Sequence, residues 1–201
     1  MIAGARLWND RLSYYSQTNN PTEEILRLRG GKGWLETCGP TAAVNCLAAL
    51  GVYVNIICPG GWVPQPEELL MDFLTDPRNY RDFRNLGADP AAAPGNEQAV
   101  LYPFAVARVF GARAEFLPSK PQFGVLIDLL KAGHALQLCL VSPGHFIAAV
   151  AFDDEAGVII FNDPWPGRDP AWKGDGFNRR MSASGYESNV KDFAVLYGRT
   201  S

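Results

Sequence analysis

The hydrophobic pattern changes period at Gly133. Before it, apolar residues recur every three or four positions; after it come "HALQLCLV", "HFIAAVAF" and "GVIIFND", separated only by "SPG" and "DDEAG". Runs of that length with such short connections are antiparallel neighbours, because a parallel crossover needs a dozen residues or more. A fourth run, "DFAVLYG", reads as one more strand near the end. Helices first and sheet second is an α+β order, with the N-terminal half of the chain packed on the C-terminal half.

The helical half can be divided from its start and stop residues. "NNPTEEILRLRGG" predicts a short helix with Asn20 as cap, Pro21 in the first turn and Gly30 as stop. The next helix begins at Cys38, takes Pro40 in its first turn, turns Ala43, Cys46 or Leu47, and Leu50 inward, and ends at Gly51. "QPEELLMDFLTD" predicts a third, with two glutamates at its positive end. Residues 76–96, rich in Pro, Gly, Asn and Asp, read as a loop long enough to serve function. After it, "EQAVLYPFAVARVFG" is a helix kinked or split at Pro103, and "QFGVLIDLLKAG" a further helix. With 201 residues, 47% of them hydrophobic, one compact domain spanning 1–201 is the simplest organisation.

Composition excludes several function classes. A net charge of −3 with no block of Lys or Arg argues against nucleic acid or an anionic membrane as the main partner and favours a peptide or small molecule. No segment approaches the roughly 20 apolar residues of a membrane span. The first residues form no signal-like apolar run, so the expectation is a cytoplasmic protein. The four cysteines, Cys38, Cys46, Cys58 and Cys139, contain no C-x-x-C pair, which predicts reduced thiols, no disulfide framework and no metal or other cofactor.

Chemistry enters at "ETCGPTAAVNCLAALG". A thiol on a helix N-terminus meets unpaired backbone N–H groups and the positive end of the helix dipole, both of which favour thiolate. Cys38 is therefore a candidate nucleophile, against the alternative of a buried core thiol. A thiolate works with an imidazole, and the chain holds two histidines. His145 opens a strand after "SPG" and shares its side with Ile147, Ala149 and Ala151; His134 opens the preceding strand without an acidic or amide neighbour and reads as structural. If Phe152 pairs with Val158 across the hairpin, Asp163 lies opposite Ile147 and becomes the diagonal same-face neighbour of His145. A one-residue slip would separate them. "NDPW" also reads as a plain Asx-Pro turn. Gln17 in "YYSQTNN" is either a solvated side chain or an amide donor for an oxyanion. Trp165, Trp172 and Phe177 in a Gly/Pro stretch line a peptide groove or pack beneath their loop.

In their order, "YYSQ", "CGPTAAVNCLAALG" and "GHFIAAVAFDDEAGVIIFNDPW" resemble the papain-like cysteine peptidases of the bacteriocin-leader-processing type, especially their freestanding double-glycine-peptidase-like branch, a bacterial or phage lineage. The resemblance implies a papain-like fold with the nucleophile helix on an antiparallel sheet. It assigns Cys38 as nucleophile, His145 as general base, Asp163 as the residue orienting His145, and Gln17 as the oxyanion amide, acting on a peptide or protein substrate. The chain departs from the family in spacing: papain-like enzymes often hold the glutamine close before the cysteine, whereas positions 17 and 38 are 21 apart and the nearer slot holds Lys32. An amidase or acyltransferase would use the same residues, and a non-catalytic binding or assembly module would retain the scaffold with an unreactive Cys38. The sequence leaves the oligomeric state open.

Overall fold

The computed structural model describes residues 1–17, 37–52, 65–88, 99–142, 144–165 and 176–198. The helix expected over 20–30, Lys32, Cys58 and Trp172 lie outside them. The described strands are β1 (Ile2–Gly4), β2 (Ala114–Leu117), β3 (Ala135–Leu140), β4 (His145–Asp153), β5 (Val158–Asn162), β6 (Arg179–Ser182) and β7 (Val190–Tyr197). The described helices are α1 (Cys38–Ala49), α2 (Pro66–Thr75), α3 (Tyr80–Asn85), α4 (Tyr102–Phe110), α5 (Phe123–Lys131) and α6 (Ala183–Asn189). No described helix is long and apolar enough to cross a membrane.

All strands join one antiparallel sheet in the order β2-β7-β3-β4-β5-β6, with β1 also paired to β4. This is the α+β arrangement expected of a papain-like chain, with Cys38 opening a helix that lies on the sheet. One face of the sheet, including Ala135, Cys139, Phe146, Ala148 and Val150, packs against α1 and α4. The opposite face, with Leu136, Leu138, Ile147, Ala149 and Ile159, packs against Leu126 and Leu130 of α5 and Tyr186 of α6. So α5 does not join α1 and α4 but covers the second face together with α6. With both faces covered, β3 and β4 are buried along their whole length, which is why they read as continuous apolar runs and not as alternating ones.

Two expectations are corrected. First, α1 is not one-sided: every residue from Gly39 to Ala49 is buried, because the sheet, α2 and the turn at Arg11–Ser13 surround it. Small side chains at Ala42, Ala43, Ala48 and Ala49 let those neighbours approach. Secondly, residues 76–96 are not all loop. Asp76 accepts from the Arg78 backbone N–H and starts a short 3-10 turn, and α3 follows, held by a fully buried Phe83 that packs edge-on against Phe73 and Phe104. Composition hid the Tyr80 and Phe83 pair, three positions apart on one helical face. The break expected near Pro103 is present: Ala99 is helical, Val100 and Leu101 form a turn, and α4 starts afresh at Tyr102 with the proline in its first turn, where the missing N–H costs nothing.

The β4–β5 hairpin departs from the expected register in an instructive way. Asp153, not Phe152, faces Val158, which shifts the pairing near the turn by one residue. Between Ala149 and Ala151 a β-bulge absorbs Val150, and beyond it Ala149 faces Phe161 and Ala148 faces Asn162. The bulge also moves Ala151 to the α1 face beside Val150, so it does not share a side with Ile147 and Ala149 as expected. On the other edge of β4, β3 pairs as far as Ala149 and β1 takes over at Ala151, while the Ala5 N–H donates to the carbonyl of Val150. The extra residue is thus satisfied by the N-terminal strand.

That contact needs glycine at position 4. A Cβ there would lie 2.4 Å from the Val150 carbonyl oxygen and 2.6 Å from the Ala151 Cα, both backbone atoms that cannot turn aside. Gly4→Val is expected to lower stability by about 1–3 kcal/mol, or roughly 2–4 °C in Tm per kcal/mol for a chain of this size. Thermal unfolding followed by circular dichroism measures it; an unchanged Tm would mean that β1 does not bear on the bulge.

Candidate active site

Cys38 is the first residue of α1, so its backbone N–H is among the first-turn donors without an intrahelical acceptor. His145 is the first residue of β4, and Asp163 directly follows the last residue of β5. The three meet at one end of the sheet. His145 Nε2 lies 2.6 Å from Asp163 Oδ1, and both side chains are almost wholly buried, at 3% and 1% exposure. The thiol of Cys38 faces the same imidazole, with the backbone N–H groups of Phe146 and Gly39 beside it, and all three favour its charged form. With Nε2 committed to the carboxylate, Nδ1 is the ring nitrogen left for sulfur. A carboxylate only accepts, which puts a proton on Nε2.

The electrostatics follow from that arrangement. Burial alone would push the Cys38 thiol up; the hydrogen bond and positive charge of His145 and the two backbone donors outweigh it and bring it below the ordinary thiol value. Burial alone would push His145 down; the hydrogen bonds and negative charges of Asp163 and Cys38 outweigh it and raise it. Each group thus favours the charged form of the other. Cys46, two turns along the same helix, shows the contrast: fully buried and without such partners, its thiol is pushed well up.

Asp163 is held from several sides. Its Oδ1 also accepts from the Trp165 backbone N–H at 2.8 Å, its own N–H donates to the Gly176 carbonyl, and its carbonyl accepts from the Tyr14 hydroxyl at 3.0 Å. Gly176 comes so close that a Cβ on it would overlap the Asp163 carbonyl oxygen. Trp165 is half-exposed and stands edge-on to His145 with ring centroids 6.3 Å apart; Phe177 packs against Tyr14, with Arg11 over both rings.

Gln17 is buried, and its backbone N–H donates to the Pro164 carbonyl at 2.9 Å. The segment leading to it is fastened on both sides: Ser16 donates to the same carbonyl, and Tyr15 exchanges two hydrogen bonds with the buried Asn45 of α1. The structure therefore brings the Gln17 segment to the Asp163 loop. His134 precedes β3 at the end opposite the pair Leu140 and His145, about 20 Å away at 3.3 Å per strand residue. Among the described residues no group of three or more His, Cys, Asp and Glu is arranged to hold a metal ion.

Sequence reasoning passed over Gln137 and Tyr102. Gln137, in the middle of β3, is fully buried and donates from Nε2 to the Gly39 carbonyl at 3.0 Å. Tyr102, also fully buried, presses its hydroxyl against Gly39, where a Cβ would meet it at 2.2 Å. The signal was a lone amide inside the apolar run "ALQLCL".

Comparison with known proteins adds a family. A model of the Peptidase_C39 like family matches residues 10–191, a span that includes Gln17, Cys38, His145 and Asp163. No curated protein matches the chain. Among solved structures, UfSP from C. elegans aligns over 59% of this chain and 24% of its own, with 13% sequence identity and a TM-score of 0.33.

The opposed shifts of Cys38 and His145 predict a reactivity profile. Iodoacetamide is expected to label Cys38 well below the ordinary thiol pKa of about 8.5, while buried Cys46 stays unlabelled until the protein unfolds. In His145→Ala, burial is opposed only by the backbone donors, so the labelling midpoint moves to alkaline pH. Peptide mass spectrometry across pH 5–9 would detect it; equal rates at Cys38 and Cys46, or a midpoint unmoved in His145→Ala, would sink the pairing.

Proposed function

The chain belongs to the Peptidase_C39 like family; from this premise we propose that it is a cysteine peptidase that hydrolyses a peptide bond with Cys38 as nucleophile, His145 as general acid and base, and Asp163 orienting His145. The observation that carries the reading is the buried 2.6 Å contact of His145 Nε2 with Asp163 Oδ1, together with the electrostatic pairing of the same imidazole with Cys38. A thiol on a helix N-terminus, an imidazole with one nitrogen spoken for, and a carboxylate behind it form the set that acyl transfer requires.

In this mechanism the Cys38 thiolate attacks the peptide carbonyl. The developing oxyanion is met by the Cys38 backbone N–H and the Gln17 side-chain amide. The imidazolium of His145 gives its proton to the leaving amine, whose departure leaves a thioester on Cys38. His145, now neutral, takes a proton from water as the water attacks the thioester, and the carboxylate product leaves as Cys38 regains its starting state. Asp163 holds the ring in one tautomer throughout and stabilises its charged form. The Gln17 assignment is supported by its burial and by its backbone tie to Pro164, next to Asp163.

Mass spectrometry of a complex peptide mixture tests the proposal by reading new chain ends. Cleavage by the wild type is expected to vanish in Cys38→Ala, to fall about 10²–10⁴-fold in His145→Ala, and to fall about 10²-fold or more in Gln17→Ala if its amide meets the oxyanion. Cleavage that persists unchanged in Cys38→Ala would overturn the assignment of the nucleophile.

A further inference from the structure

Gln137 is an unusual residue for its place. On the α1 face of β3 its neighbours are Ala135 and Cys139, and across the sheet it faces Ala148 on β4 and Val195 on β7. A fully buried amide in such surroundings is costly unless its hydrogen bonds are made, and an apolar side chain of similar volume would serve stability as well or better. Its hydrogen bonds have specific destinations. Nε2 donates to the Gly39 carbonyl at 3.0 Å, and Oε1 accepts from the Tyr197 hydroxyl at 2.7 Å. Both bonds are fully buried.

The Gly39 carbonyl does not need the Gln137 bond to be satisfied. It lies inside α1, where an α-helical carbonyl already has the N–H four residues on as its partner. The extra bond therefore ties the first turn of the helix to the middle strand of the sheet without filling an otherwise empty backbone position. Gly39 is also the residue whose N–H helps favour the Cys38 thiolate, and its Cα side is blocked by the Tyr102 hydroxyl. The residue next to Cys38 is thus gripped by Gln137 at its carbonyl and by Tyr102 at its α-carbon. Gln137 faces Ala148, three residues along β4 from His145, or about 10 Å. The strand that carries the tether is the immediate neighbour of the strand that carries the imidazole.

We propose that Gln137 is a positioning residue for Cys38: oriented by the Tyr197 hydroxyl, it locks the Gly39 peptide against the sheet and so sets the distance between the Cys38 sulfur and His145. This rests on the assignment of Cys38 and His145 made above. Gln137 touches neither substrate nor the reacting atoms and acts through α1 alone. Without the tether the helix remains packed by its apolar residues, but its first turn is free to settle against the small residues Ala135, Cys139 and Ala148. A displacement there of about 1 Å is enough to cost about 10²-fold in a reaction that depends on alignment.

The test reads Cys38 alkylation by iodoacetamide against pH in wild type, Gln137→Leu, Tyr197→Phe and Gln137→Glu, with thermal unfolding alongside. In Gln137→Leu, labelling below neutral pH is expected to fall about 10–10²-fold, with the profile shifted towards alkaline pH while unfolding stays cooperative. Tyr197→Phe removes one hydroxyl, keeps the core filled, and is expected to give a smaller shift in the same direction, so the proposal remains testable even if Gln137→Leu does not fold. Gln137→Glu, kept protonated by burial, retains a donor for Gly39 and an acceptor for Tyr197 and is expected to restore the wild-type profile. Fast wild-type labelling that is equally fast and equally pH-dependent in Gln137→Leu and Tyr197→Phe overturns the positioning role alone. Slow labelling of wild-type Cys38 instead overturns the assignment of Cys38 and His145, and the positioning role falls with it.

Discussion

The bulge at Val150 decides whether His145 and Asp163 can meet. Side chains alternate across a strand, so a shift of one residue moves a side chain to the opposite face. At the turn Asp153 faces Val158, and continued without interruption that register would set Asp163 against Ala148, which packs on the α1 face away from Ile147. The extra residue in β4 advances the pairing by one, and Ala148 faces Asn162. Asp163, the next residue, then follows the alternation to the side of His145. A local irregularity of one residue thus governs a contact at the far end of the hairpin, which is a recurrent use of bulges near functional sites.

The electrostatic balance depends equally on burial. For Cys38 the largest single influence is desolvation, which works against ionisation, and for His145 it is again desolvation working against charge. Burial opposes the charge of each group when it stands alone. Together, with Asp163 behind the ring, the two negative groups flank one positive group, and each hydrogen bond recovers part of the hydration that was lost. The benefit is therefore collective and geometric: with its imidazole displaced, the Cys38 thiol would keep only its backbone donors against burial and move towards the behaviour of Cys46.

The strands of the central sheet and the helices at Cys38, Pro66 and Phe123 are legible in the sequence because their signals are local: hydrophobic period, caps and breakers. Cys38 is legible because it opens a locally patterned helix, and His145 and Asp163 for a different reason, because the hairpin is short enough for register to be reasoned over a few residues. That reasoning starts one residue out at the turn and arrives at the observed neighbourhood only because the bulge compensates, an irregularity no residue type announced. What local pattern does not carry is long-range. β1 pairs with a strand about 150 residues later, β2 and β6 are short edge strands, and Gln137 reads as an ordinary strand residue until its partners Gly39 and Tyr197 are known. In α3 the burial of Phe83 comes from Phe73 and Phe104 on other helices, which composition does not reveal.

These long-range contacts make the first 17 residues the element that couples helix to sheet. β1 satisfies the bulge carbonyl of Val150 through Ala5, the Leu7 N–H donates to Ala49 at the last turn of α1, and Tyr15 exchanges two bonds with Asn45 midway along it. Tyr14, Ser16 and Gln17 then reach the carbonyls of Asp163 and Pro164. One segment therefore touches the helix that carries Cys38, the strand that carries His145 and the loop that carries Asp163. Hydrogen bonds individually contribute only about 0.5–1.5 kcal/mol net, so their number alone does not explain the arrangement. Their distribution does: each bond fixes one of three separately supported parts relative to the others. Apolar packing holds α1 on the sheet but is tolerant of sliding, whereas directional bonds at Val150, Asn45, Pro164 and Gly39 are not. The fold thus assigns stability to its two apolar layers and alignment to a sparse set of buried polar contacts that span them.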